Sequence, residues 1–216
     1  KYYEIFAAQK NFGTRLINGP ALRFDYIFKL GHIVPNAGKQ SSSKAYIFVA
    51  CSIDYEGAFE TVYKVINSLA DCCEYSIYIK LHPKMGGRNK FIKGILNYLG
   101  IRQLPKHIEF IDKPIEDILP QAKVLFCNST SVAYEAIALN IPVVFIESDI
   151  WFDMDELEWF KGASFRARAK EDIIEVLNKI SNMTQGELEK KEIFFKRITT
   201  ETFNEPSHKL LKLFCA

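Results

Sequence analysis

The sequence predicts a doubly wound α/β domain, a Rossmann-like parallel sheet of about six strands with helices on both faces. Two observations carry that prediction. From residue 45 onward, short apolar runs that read as buried strands alternate with segments of helical periodicity. The joints between them are short, which suits strand–helix–strand units and a sheet covered on both sides.

Taken in order, "AYIFVACS" (45–52) reads as the first strand. "EGAFETVYKVINSLADC" (56–72) places Phe59, Val62, Tyr63, Ile66 and Leu69 on one helical face. "SIYIKLHP" (76–83) is the second strand, followed by a glycine-containing loop and a helix over "KFIKGILNYLG" (90–100). "HIEFI" (107–111) is the third, and "PIEDILPQ" (114–121) supplies one or two helical turns. "KVLFC" (123–127) is the fourth strand, leading to a helix from Thr130 to Leu139. "IPVVFI" (141–146) is the fifth and "ASFRAR" (163–168) a short sixth. "KEDIIEVLNKISNM" (170–183) and "QGELEKKEIFFKRI" (185–198) close the chain as helices. Upstream, "RLINGPALRFDYIFK" reads as a strand and turn, and "AGKQSSSK" (37–44) as a polar linker.

The bulk numbers exclude several classes. With 216 residues, 48% hydrophobic and 25% charged, the chain has the composition of an ordinary globular protein. A net charge of +2 makes no case for nucleic acid as a partner. No apolar run approaches the roughly 20 residues of a membrane span. The opening "KYYEIFAAQKNFGTR" lacks the apolar core and cleavage site of a signal peptide. A first residue of Lys fits a processed or excised piece of a longer protein. The five cysteines, Cys51, Cys72, Cys73, Cys127 and Cys215, contain no C-x-x-C pair and point to a reduced, cytoplasmic setting.

Ligands of open parallel sheets bind outside the carboxyl ends of the strands, and two strand ends here are chemically informative. After the fourth strand comes "NSTS" (128–131), opening a helix. Small hydroxyl residues admit close backbone approach, and a helix N-terminus offers free N–H groups, a combination that suits phosphate. The alternative is plain N-capping by Ser129, Thr130 or Ser131. Glu135 is the only charge in the 23 residues from Val124 to Ile146. It lies one turn from Ser131 on the same face, roughly 6 Å along the axis, a span comparable to that from a nucleotide phosphate to the ribose hydroxyls. The alternative there is an ion pair with a distant Lys or Arg. After the second strand, "KLHPK" sets Lys80 and His82 on one side and Leu81 on the core side, which makes Lys80 a further candidate for binding phosphate. His82 can bind a phosphate or protonate a departing phosphate oxygen; the alternative is a structural strand-end histidine.

Softer candidates are "CSID" (51–54), whose Ser52 offers a further hydroxyl, and "IDKP" (111–114), whose Ile111, Asp112 and Pro114 present backbone to a base edge. The acidic stretch "ESDIWFDMDELEW" (147–159) lacks a calcium-loop pattern and reads as a solvated lid. Ser131 is not a hydrolase nucleophile, because the glycines of a nucleophile elbow are missing.

Together, "LHP" and "STSVAYEAIALNIPVVFIE" resemble the C-terminal, donor-binding domain of GT-B glycosyltransferases. The nearest resemblance is to bacterial surface-carbohydrate enzymes with an HP and an S-S/T motif, such as capsule sialyl- and polysialyltransferases, Kdo transferases and glycerophosphotransferases. It implies that His82, Ser129, Thr130 and Ser131 hold the donor phosphates. The E-A-x5-P-V segment is similar to UDP-sugar enzymes, which implies ribose binding by Glu135. "NGPALRFDY" (18–26) is similar to the joint by which such chains enter their second domain.

The resemblance covers residues 15–185 and implies two regions: 1–40 as the end of an acceptor domain and the joint, and 41–216 as the donor domain. It implies an inverting transferase using a CMP-, CDP- or UDP-linked sugar, with CMP favoured, a glycan or lipid-linked acceptor, no metal and no cofactor. The usual acidic general base would precede residue 1. A sugar-nucleotide epimerase or hydrolase, and a non-catalytic flavodoxin-like module, are the rival readings. The helix "KKEIFFKRI" (190–198) reads as packing on its own sheet, with peripheral membrane contact as the alternative.

Overall fold

The computed structural model describes residues 26–27, 46–150, 155 and 157–202. Six strands form one sheet: β1 (Tyr46–Ala50), β2 (Ser76–Lys80), β3 (Ile108–Phe110), β4 (Ala122–Cys127), β5 (Val143–Ile146) and β6 (Ser164–Ala167). Their spatial order is β3-β2-β1-β4-β5-β6, and every neighbouring pair is parallel. The helices are α1 (Tyr55–Leu69), α2 (Arg88–Leu99), α3 (Ile115–Ile118) with a 3-10 turn over Leu119–Gln121, α4 (Val132–Ala138), α5 (Lys170–Ser181) and α6 (Gln185–Thr202). This is the expected Rossmann-like fold. The chain winds outward from β1 to β3, returns to place β4 beside β1, then winds the other way. The reversal opens a switch point between β1 and β4.

Strand side chains alternate between two apolar layers, because successive Cβ atoms point to opposite faces. Ile47 and Val49 of β1 meet α1, α2 and α5 on one side. Phe48 and Ala50 meet α3, α4 and α6 on the other. Ile47, Phe48 and Val49 are all fully buried, as both-face coverage requires.

Element ends shift by a few residues for identifiable reasons. β5 begins at Val143 rather than 141 because Pro142 has no N–H; its carbonyl accepts from the Leu125 N–H at 2.9 Å. α2 stops at Leu99 because Gly100, at φ +68°, takes the left-handed conformation, with the Ile101 N–H returning to the Leu96 carbonyl at 3.0 Å. α4 is shorter than the expected 130–139, since Asn140, at φ 60°, turns the chain out early.

One expectation needs refining. In the described parts of 147–159, Asp149, Ile150, Glu158 and Trp159 are exposed, as a solvated stretch requires, but other residues are anchored. Asp155 is buried: its carboxylate accepts from the Leu157 N–H at 2.9 Å and from the Ser164 hydroxyl at 2.8 Å. Glu147, Ser148 and Asp149 are tied to α1 and β6 by bonds given below. Acidic composition suggested solvation, but each of these groups has a local donor. The expected joint at 1–40 lies outside the described residues except for Tyr26 and Ile27, and Cys215 lies outside them too. Cys51, Cys72, Cys73 and Cys127 are not joined in disulfides.

Candidate functional site

The sheet register brings three loops side by side. Ala50 pairs with Lys80 on one flank and Cys127 on the other. The chain segments that leave those three residues, 51–54, 81–84 and 128–131, therefore share one stretch of the C-terminal rim. Strands stand about 4.8 Å apart, so the β2 and β4 exits lie roughly 10 Å from each other, with the β1 exit between them.

At the β1–β4 switch point the packing is tight. Asp54 caps α1, its carboxylate accepting from the Gly57 N–H at 2.7 Å. Asn128 lies against the same turn. A Cβ on Gly57 would stand 2.2 Å from Asp54 Oδ2 and 2.7 Å from Asn128 Nδ2, so any larger residue would have to displace both side-chain ends. Asn128 is 9% exposed, and its Oδ1 is buried with no hydrogen-bond partner among the described residues. Such a group costs about 1–3 kcal/mol, so it marks a position kept for something other than packing. Ser52 is buried beside it, its hydroxyl a long 3.5 Å from the Asp54 carbonyl. The neighbouring Cys51 thiol is pushed up to about 12, by burial and then by the Asp54 charge, and is inert.

Thr130 and Ser131 do little capping. Ser131 holds the N-cap position without a side-chain cap bond. The Val132 N–H reaches Thr130 Oγ1 only at 3.4 Å. Ser129, Thr130 and Ser131 are all half-buried at the rim.

Glu135, expected to meet a ligand or a distant cation, is 3% exposed and accepts a hydrogen bond from the Tyr26 hydroxyl. That contact spans 109 residues and joins α4 to the segment that precedes the sheet. Sequence reasoning missed it because a tyrosine donor leaves no charge pattern to search for.

On the β2 side, Leu81 packs on the core while His82 is half-exposed. The Lys84 N–H donates to His82 Nδ1 at 3.2 Å, so the neutral ring carries its proton on Nε2. Lys80 turns toward the loop after β3, donating to the carbonyls of Lys113 at 2.8 Å and Asp112 at 3.5 Å. Burial lowers its pKa below the usual lysine value; the Glu116 charge opposes that shift and Arg88 adds to it. Arg88 braces the same loop through the Asp112 carboxylate and, at 2.5 Å, the Phe110 carbonyl. Of the base-edge candidates, Ile111 spends its N–H on the Ile79 carbonyl at 2.9 Å, Asp112 is paired with Arg88, and Pro114 caps α3.

No protein-family model and no curated protein matches this sequence. Solved structures do. The UDP-GlcNAc 2-epimerase from Neisseria meningitidis, bound to UDP-GlcNAc, aligns with a TM-score of 0.57 at 13% identity over 94% of this chain and 54% of its own. The UDP-GlcNAc 2-epimerase from Methanocaldococcus jannaschii, in complex with UDP-GlcNAc and UDP, gives 0.54 at 15% over 85% and 54%. The glycosyltransferase SnogD from Streptomyces nogalater gives 0.54 at 15% over 84% and 46%. The chain thus spans about half the length of these neighbours. What it shares with them is the six-stranded, Rossmann-like α/β fold.

Proposed function

We propose that this chain is the nucleotide-sugar-binding half of a two-domain glycosyltransferase of GT-B type. The observation that carries the reading is the switch point itself. β1 and β4 deliver Ser52 and Asn128–Ser131 to one place, with Gly57 kept bare against a buried amide whose oxygen is unsatisfied. In the proposed complex the donor phosphates lie along Ser129, Thr130 and Ser131, and His82 presents Nε2–H from the β2 side. The departing nucleotide phosphate is then stabilised by hydroxyls, backbone N–H groups and an imidazole donor, which supports an inverting, in-line displacement. A ribose role for Glu135 requires the Tyr26 hydroxyl to give way, so in this reading the Tyr26 segment moves when the nucleotide enters. Lys80 acts by holding the loop at 111–114, past which the base is placed.

A second reading is an epimerase half, favoured by the likeness to the two UDP-GlcNAc 2-epimerases. Both readings need the same domain to bind a nucleotide. Calorimetric titration of the chain with CMP, CDP, UDP and GDP is the test. Preference for CMP or CDP supports the transferase with the HP resemblance. Preference for UDP leaves transferase and epimerase to be separated by activity of the longer protein. Absence of heat from all four would leave a non-catalytic module.

A further inference from the structure

The outer face of α2 is basic and carries no acid. Between Tyr75 and Ile108 the chain places seven of its 28 Lys and Arg and none of its 26 acids. The remainder of the chain is consequently net negative, so the small overall charge of +2 conceals a strong segregation. Structure places this run on β2, α2 and the turns around them, at the β3 edge of the sheet. Phe91 and Ile95 face the core, which turns Lys90, Lys93 and Asn97 outward. Lys84, Lys90 and Lys93 are exposed and make no ion pair among the described residues.

Folding does not account for this arrangement. The first turn of α2 carries Arg88 and Lys90 and no acid, its N-cap is Gly87 at φ +77°, and no side chain caps it. Cations there oppose the helix dipole, where a carboxylate would stabilise. The basic face is bordered by exposed aromatic and apolar side chains. Tyr98 is 67% exposed and Ile53 57%, and Tyr55 leans on Phe91 with ring centroids 5.3 Å apart.

We propose that this face docks on an anionic lipid bilayer. The α2 surface is a single convex helix, suited to a plane. Its lysines would lie over the head groups and its flanking tyrosines at the interfacial level where their apolar rings and polar tips are both accommodated. α2 begins at the C-terminal rim, so docking sets the candidate site beside the bilayer surface. This proposal stands whether or not the site binds a nucleotide.

The test is co-sedimentation of the full chain with vesicles of phosphatidylcholine alone and of phosphatidylcholine mixed with phosphatidylglycerol. Binding to the anionic vesicles only, released by high salt, is expected. The double variant Lys90→Gln/Lys93→Gln should bind about thirtyfold more weakly, from roughly fivefold per lysine, with an unchanged Tm. Tyr98→Ser should weaken binding at low salt, and Lys190→Gln/Lys196→Gln on α6 should leave it unchanged. Equal binding to neutral vesicles, no binding to anionic ones, or loss through the α6 pair instead of the α2 pair would overturn the proposal. Capture by a soluble acidic polysaccharide without vesicle binding would overturn it as well, and would give the face to a polyanion.

Discussion

A carboxylate in an apolar helix must be matched by a donor, and Glu135 is matched by the Tyr26 hydroxyl. Removing that hydroxyl while keeping the ring isolates the contact. Tyr26→Phe is expected to lower the unfolding free energy by about 1–3 kcal/mol, the cost of depriving a buried acceptor of one partner, read from urea denaturation. An unchanged midpoint would show that the contact is dispensable to the fold. Lys191 is the complementary case of a cation placed in apolar company. It lies over the rings of Phe165, at 4.3 Å, and Phe195, at 4.9 Å. Burial, with a smaller push from Lys179, lowers its pKa from the usual 10.5 to about 8. Because the folded-state pKa is the lower one, the unfolded chain holds more protons between about pH 8 and 10.5, and stability rises with pH across that window. Lys191→Met should therefore stabilise the protein at pH 7 by about 1 kcal/mol, the rings having offset part of the cost of the charge. Urea titrations at pH 7 and near pH 10.5 check this, since the advantage of the variant should vanish at the higher pH.

At the scale of elements, the start of α1 is the joint on which the switch point is built. Asp54→Ala removes the cap and should cost about 1 kcal/mol. Gly57→Ala should cost about 1–3 kcal/mol, because the new methyl displaces the Asp54 carboxylate and the Asn128 amide together. The double variant should fall short of the sum, since both changes break the same cap; additivity in urea melts would mean that the crowding at Gly57 acts through Asn128 alone. This joint also shows where the sequence was legible. The strands could be read because both-face burial makes them apolar runs, and α1 because its apolar face repeats at helical spacing. The rim loops at 51–54, 81–84 and 128–131 could be placed at strand ends. The meeting of Gly57 with Asn128 could not, because it crosses the switch point and leaves no periodic trace. For Glu135 a ligand or a distant cation was expected; the contact from Tyr26 was illegible, because a neutral donor 109 residues away leaves no charge pattern.

For the molecule as a whole, the weak point of a doubly wound sheet is the junction of its two halves, where the crossover leaves β1 and β4 with helices that began on opposite sides of the reversal. Here a buried cation closes that junction. Lys64 of α1 reaches the far half, donating to the Glu147 carbonyl at 2.7 Å and pairing with Asp149 at 2.8 Å and with Glu60, on its own helix, at 2.9 Å. Glu60 continues the link, accepting from the Ser148 hydroxyl at 2.5 Å and the Asp149 N–H at 2.6 Å. Glu147 is held in turn by Arg166 of β6 at 2.7 Å. The loop after β5 is thereby tied to the helix after β1, a span of 83 residues. Lys64→Met should destabilise by about 3 kcal/mol, because it leaves the buried Glu60 carboxylate with neutral donors but no cation and deprives the Glu147 carbonyl of its donor. Adding Glu60→Gln should recover part of that loss, since a neutral amide is cheaper to leave half-satisfied than a charge. Thermal melts at low and high salt decide the matter: buried groups are poorly screened, so the Lys64→Met deficit should persist in high salt. A deficit that salt erases would reduce the network to a surface ion pair and return the stability of the junction to its apolar layers.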